Sequence, residues 1–459
     1  MGHSSHHGHD PHSAHAGHAT HAPRAEALDE YSRARESAQP LEGGQVVRVE
    51  LEAREIDWAF APGGSTRAWG YNGQIPAPVI EARVGDVLEV RLTNHLPEAT
   101  TIHWHGLRLP APMDGTESVQ HLVAPGESFT YRFLLPDAGT FWYHPHTNET
   151  EQLERGLYGA LVVRGPDEPV LDAERVLVLD DVKLDRSDQI APLGGLIEHH
   201  DGRQGSTVLV NGRRAPELTM AGGQVERWRI VNAASARYFR LSFGGPLVLL
   251  GTDGGLLGAP ITMDEVLLAP GDRVDLAIGP FAEGESLALE SLPYDRRTVA
   301  RARGVQLATL RIGPAHPSKA AIPATLRRIE PLAPADAPPT REVHLGVRPS
   351  LRTMVKFVVN GEAHHRDDPV RVGELQVWDV VNDTLMDHPF HLHGFFFQVL
   401  SVNGAPPKFL SWEDTVNVPP RSTVRIAWLP DDRPGEWMYH CHILEHHASG
   451  MMGHFSVVR

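Results

Sequence analysis

The sequence predicts an all-β chain built from three homologous Greek-key β-sandwich domains. Length is the first indication: 459 residues correspond to about three domains at roughly 150 residues each. Composition is the second. The 43 glycines and 37 prolines favour turns and short strands over long helices. The third is an internal repeat. VGDVLEVRLTN, AGGQVERWRIVN and RVGELQVWDVVN each place a glycine turn before an alternating run, the pattern of a strand with one buried face. Their closing asparagines, Asn94, Asn232 and Asn382, lie 138 and 150 residues apart. Pro-led turns at Pro125, Pro270 and Pro420 and Asn-Gly turns at Asn72, Asn211 and Asn360 keep nearly the same period.

The chain divides accordingly. Residues 1–44 form a tail and lead-in, with eight of the 28 histidines in the first 21 positions and no apolar periodicity. The tail reads as disordered, with loose metal collection as the function it could serve. Residues 45–165 make the first domain, 170–312 the second and 340–459 the third. The Pro- and Ala-rich stretch 313–339 is the linker before the third.

Charge and hydropathy exclude some functions. A net charge of −16 argues against a nucleic-acid partner, which needs cationic groups to displace counterions. No apolar run reaches the length of a membrane span. No charged-then-apolar leader is legible, which fits a processed exported form or a cytoplasmic protein.

The candidate chemistry lies in four histidine clusters. They are HWHG (His103, His105), HPH (His144, His146), HPFHLHG (His388, His391, His393) and HCHILEHHASGMM (His440, Cys441, His442, His446). The clusters respect the repeat. His103 lies nine residues after Asn94 and His391 nine after Asn382, whereas nine after Asn232 stands Leu241. Domains one and three therefore carry matching halves of a metal site and domain two carries none. The simplest geometry packs the first domain against the third with metal between them.

Residues i and i+2 of a strand share a face. His103/His105, His144/His146, His391/His393 and His440/His442 are thus four imidazole pairs, a set that suits a cluster of about three ions. Cys441 points the other way and serves a different ion, with His446, Met451 and the out-of-phase His388 nearby. Two His, one thiolate and a weak Met make a blue-copper site; zinc is poorly served by a thioether. HCH would then join the two sites through one covalent path. Trp104, Trp142, Tyr143 and Met452 read as packing. His199/His200 and His364/His365 read as solvated, and His95, His121, His316, His344 and His454 have no partner at ligand spacing.

With these motifs, residues 45–459 resemble a three-domain multicopper oxidase of the laccase-like, bacterial spore-coat-oxidase type. The resemblance implies cupredoxin domains and four copper ions. The type 1 copper would take His388, Cys441, His446 and, axially, Met451. The type 2 copper would take His103 and His391, and the type 3 pair His105, His144, His146, His393, His440 and His442. It implies one-electron oxidation of a reductant coupled to four-electron reduction of O2 to water. Electrons would enter through the exposed edge of a type 1 histidine and leave along Cys441. Asp114, in PMDG, resembles the family's acid near the type 2 copper; the plainer reading is a turn Asp before Gly. Relatives often carry an acid directly after the last type 1 histidine. Here that position is His447, either a proton relay or a surface residue, and Glu445 on a strand or turn would point elsewhere. An extracytoplasmic location also follows from the resemblance alone.

For the reductant, a laccase acting on phenols and aromatic amines competes with an oxidase of Cu(I) or other metal ions in copper tolerance. Nine methionines without a methionine-rich insertion favour the laccase. A non-enzymatic copper-binding protein is disfavoured by the complete ligand set.

Overall fold

The computed structural model describes residues 38–299 and 303–459. The histidine-rich stretch of the tail, expected to be disordered, lies outside the described residues. Among the described residues the strands form six sheets, packed as three pairs. Each pair encloses one apolar core: Leu88, Val90, Trp104 and Tyr143 in the first, Leu177, Trp228, Leu276 and Leu310 in the second, Trp378, Phe390, Ile426 and Phe455 in the third. The chain is all-β with three cupredoxin-like sandwiches, as the repeat predicts. No helix is long and apolar enough to cross a membrane among the described residues.

The repeat landmarks recur as physical devices. Each sandwich contains an equivalent parallel pairing: Val46–Trp58 with Val87–Asn94, Ala173–Val182 with Glu226–Asn232, and Arg341–Ser350 with Gln376–Asn382. The closing asparagine does the same work each time. Its side-chain amide donates across the loop, Asn94 to Glu98 and Val123, Asn232 to Arg237 and Leu268, Asn382 to Met386 and Val418. Its carbonyl accepts from the amide two residues on, at Leu96, Ala234 and Thr384. Only an amide side chain supplies both roles from one buried position. The Asn-Gly turns hold both residues at positive φ, 53° and 79° at Asn72-Gly73 for example, as a tight two-residue hairpin turn requires.

Strand Val305–Ala315 runs into the stretch 313–339 that was expected as a linker, and within that stretch Leu326 packs on the second core while Ala333 packs against Val377 and Leu400 of the third domain. The stretch is a fitted strap rather than a free tether.

Candidate metal centre

The two ligand-bearing domains meet through their histidines. The ring of His103 stacks on His393 with centroids 4.0 Å apart, and that of His105 on His391 at 3.7 Å. His103–His105 pairs with Gly139–His144, aligning His103 with His144. Likewise His388–Leu392 pairs with Gly435–Cys441, aligning His391 with His440. Pairing thus brings the sequence-distant halves of each domain's set side by side. The period-two argument holds within His103–His105. Elsewhere the second histidine, at 146, 393 and 442, lies just past its strand end. All eight are nonetheless buried and converge.

Hydrogen bonds orient the rings. A carbonyl or carboxylate only accepts, so the ring nitrogen facing one carries the proton and the other keeps its lone pair. His103 Nδ1 donates to the Asp114 carbonyl (2.8 Å), His391 Nδ1 to the Asp414 carbonyl (2.9 Å), His144 Nδ1 to Pro145 (2.8 Å) and His440 Nδ1 to Cys441 (3.0 Å). His393 Nδ1 donates to the Asp114 carboxylate (2.8 Å) and His105 Nε2 to that of Asp414 (3.0 Å). The nitrogens left over include His103, His144 and His391 Nε2 and His105 Nδ1, all buried without a partner, as are both nitrogens of His442. His393 Nε2 and His440 Nε2 face each other at 3.0 Å. With both Nδ1 atoms protonated, two lone pairs confront each other, an arrangement that a cation relieves. Burial lowers His144, His393, His440 and His442 well below the ordinary imidazole value, which keeps them neutral and able to ligate.

A separate triad of His388, Cys441 and His446 lies on the other side of strand Gly435–Cys441. Cys441 Sγ is 3.4 Å from His388 Nδ1 and 3.6 Å from His446 Nδ1, and the two nitrogens are 3.2 Å apart. His446 donates its other nitrogen to the His200 carbonyl (3.0 Å) and His388 meets the Thr384 hydroxyl (2.9 Å). Burial lowers His388 to about 3 and pushes the Cys441 thiol up to about 12, so a neighbouring cation is what would make it a thiolate at neutral pH. His446 sits on a short helix, Leu444–Ser449, where a strand or turn was expected. Gly450, at φ 112°, ends that helix and turns the chain back. Met451 then donates its amide to His446 and accepts from the amide of Cys441, which seats this fully buried residue in the same core as Cys441.

Expectations for the edge of His446, for His199 and His200, and for His447 need correction. The edge of His446 is not exposed: it and His388 are wholly buried. The second-domain helix Leu196–Asp201 covers His446 through the His200 carbonyl, and Phe357 stacks on its ring at 3.7 Å. His199 and His200 are accordingly half-buried rather than solvated, with His199 bonded to the Val355 carbonyl. His447 is not a surface residue. Its ring stacks on His440 at 4.2 Å, and Nδ1 donates to Glu149 (2.8 Å), whose other oxygen is 3.2 Å from His146 Nε2.

The middle domain lacks ligands but braces the site. Arg273, fully buried, donates Nη1 to Asp414 (2.8 Å), pairs with the other Asp414 oxygen through Nη2, and approaches Asp253 at 3.3 Å. Burial opposes the charge of Asp414, but Arg273 and His105 hold it well below the usual carboxylate range. A Cβ at Gly106, the glycine of HWHG, would collide with Arg273 and Asp414, while one at Gly271 would lie 3.1 Å from the His105 ring. Asp414, Arg273, Asp253 and Glu149 carry no motif; only Glu149, three residues after His146, lies close in sequence to a candidate ligand. Trp142 packs on His144 at 4.2 Å as expected.

The nitrogens and sulfur define buried groups whose ligand atoms lie within 4.8 Å of one another, among them His103/His105/His144, His103/His391/His393 and His388/Cys441/His446. Unpartnered lone pairs, neutral imidazoles and a thiol fit soft-to-borderline ions such as copper.

Comparison with known proteins agrees with this geometry. Family models described as multicopper oxidase match residues 52–168, 177–282 and 336–459. A multicopper oxidase of Mycobacterium tuberculosis is 34% identical, the match covering 83% of this chain and 81% of that one. A laccase of Bacillus subtilis is 28% identical, covering 84% and 89%. The solved structure of a Campylobacter jejuni multicopper oxidase, described as a metallo-oxidase, superposes with a TM-score of 0.81 at 34% identity, covering 90% and 91%.

Proposed function

Because the chain belongs to the multicopper oxidase family, we propose that it is a laccase-like oxidase holding four coppers in two sites. One copper is held by His388, Cys441 and His446 with Met451 as axial donor. Three are held by His103 and His391 (type 2) and by His105, His144, His146, His393, His440 and His442 (type 3). Copper bound there supplies one-electron oxidation at the first site and four-electron reduction of O2 to water at the second. The observation that carries the reading is Cys441 lying between His440 and His442, its thiol in one donor group while the neighbouring rings face the other histidines, His440 5.5 Å from His391 and His442 5.0 Å from His105.

The residues around the donors have separate tasks. Asp114 orients His103 through its carbonyl and His393 through its carboxylate; Asp414 does the same for His391 and His105. Such support fixes the tautomer and raises ligand basicity. Glu149 holds the proton of His447 at Nδ1, beside His146 and His440. The His200 carbonyl and Phe357 exclude water from His446, so a reductant docks on this cover rather than on the imidazole. Exposed Leu196, Ile197 and Met354 stand on the covering segments, an apolar surface that suits phenols and aromatic amines.

A second reading, oxidation of Cu(I) or another metal ion, is favoured by the burial of His446 among the described residues and by the likeness to the Campylobacter jejuni metallo-oxidase. Oxygen uptake by the copper-loaded protein, with a methoxyphenol and with Cu(I) in parallel, separates them. Fast uptake with the phenol at four electrons per O2 supports the laccase. Uptake with Cu(I) alone establishes the metal oxidase, and uptake with neither refutes both.

A further inference from the structure

A cavity of about 380 Å³ opens beside the buried histidines, with His146 and His447 on its inner wall and His364, Met438, Met452 and His454 around it. The last four belong to none of the donor groups above. Strand pairing explains why they gather. In the antiparallel pair Gly435–Cys441 with Met452–Val458, Met438 stands opposite His454 and His440 opposite Met452. Alternation along each strand puts all four on one face. That face carries two thioethers and two imidazoles, one of them the type 3 donor His440. His364 joins from the neighbouring loop. Its backbone is held at φ 55°, in the left-handed region that non-glycine residues seldom occupy, and its amide donates to the Gly450 carbonyl.

His364 Nδ1 lies 3.0 Å from Met452 Sδ. This is the approach of an ordinary N–H···O bond, although sulfur is larger than oxygen. Thioether plus imidazole is a donor set that selects Cu(I) over hard cations. The donors run inward from exposed His364 and half-buried His454 to buried Met452 and Met438. At the inner wall His447 Nε2 is buried and unpartnered.

We propose that this cavity docks a soft monovalent ion, Cu(I), and passes it to the buried histidines as the site is loaded. No electron moves in this step; the ion exchanges one set of soft donors for another. The loading role rests on the reading of the histidines as copper ligands, whereas docking does not.

Silver(I), a redox-inert probe, tests docking in the full-length, copper-loaded protein by calorimetric titration. The wild type should bind one equivalent more than Met452→Leu/His364→Gln, or bind it at least tenfold more tightly; other silver sites, including any on the histidine-rich tail, cancel in the difference. Equal stoichiometry and affinity would overturn the proposal. If that variant loses its circular dichroism, His454→Gln, a half-buried and less disruptive change, carries the same test. Anaerobic loading of metal-free protein with Cu(I), followed as copper per chain against time, tests the role. Loading several-fold slower in the variant supports it, and equal rates overturn it. Because silver binding is read independently of oxidase activity, failure here is distinct from failure of the oxidase reading.

Discussion

Replacing Arg273 by Met tests whether the ligand-free middle domain holds the metal site together. The guanidinium is fully buried and bonds the carbonyls of Thr140 (3.0 Å), Gly271 (3.1 Å) and Asp253 (3.1 Å) as well as the Asp414 carboxylate. Methionine matches the stem but leaves Asp414 and Asp253 buried without their cation. Each carbonyl bond from this charged donor contributes about 1.5–3 kcal/mol, and the stranded charge adds to that. Breaking a buried pair by removing one partner costs about 3–5 kcal/mol. The double variant Arg273→Met/Asp414→Asn removes the charge as well. It should be less destabilised than the sum of the single variants by about 2 kcal/mol, within the range of coupled neighbours. Urea unfolding of metal-free protein, followed by far-ultraviolet circular dichroism, measures both. A single-variant cost below about 1 kcal/mol, or strict additivity, would refute the bracing argument.

Other consequences follow from the same geometry. Asp114→Asn keeps an acceptor for His393 but loses the charge beside His103; turnover should fall about 10–100-fold with the visible absorption of the mononuclear site intact, and unchanged oxygen uptake would remove Asp114 from the mechanism. Copper affinity at the mononuclear site should rise with pH by about tenfold per unit. The sign comes from Cys441, whose thiol, pushed up to about 12, must release a proton, while His388, lowered to about 3, is already neutral. Chelator competition between about pH 5 and 8 checks this, and a slope near zero would mean that the thiolate is already formed without metal.

Much of the fold was legible because the chain repeats it. Asn94, Asn232 and Asn382 recur at nearly one period, and each makes the same pair of loop-bridging bonds. The ligand clusters were legible for a related reason: strand pairing needs short motifs, and a histidine pair two apart is informative without its partner. The bracing residues were not. Asp414 meets His105 across 309 residues and Arg273 across 141, and neither contact has a local pattern. The cover over His446 was hidden for the same reason, since the helix Leu196–Asp201 is an excursion of the middle domain with no repeat counterpart. The role of Glu149 has no legible signal because it pairs with His447 at the far end of the chain, 298 residues away.

The central claim is that Cys441 anchors a mononuclear copper between two histidines of the second cluster, and Cys441→Ser measures it most directly. The copper-loaded wild type should show the intense visible absorption of a copper–thiolate bond. The variant should lose that absorption, bind one copper fewer by elemental analysis, and consume almost no oxygen. A serine variant that keeps its colour and its full copper content would contradict the account.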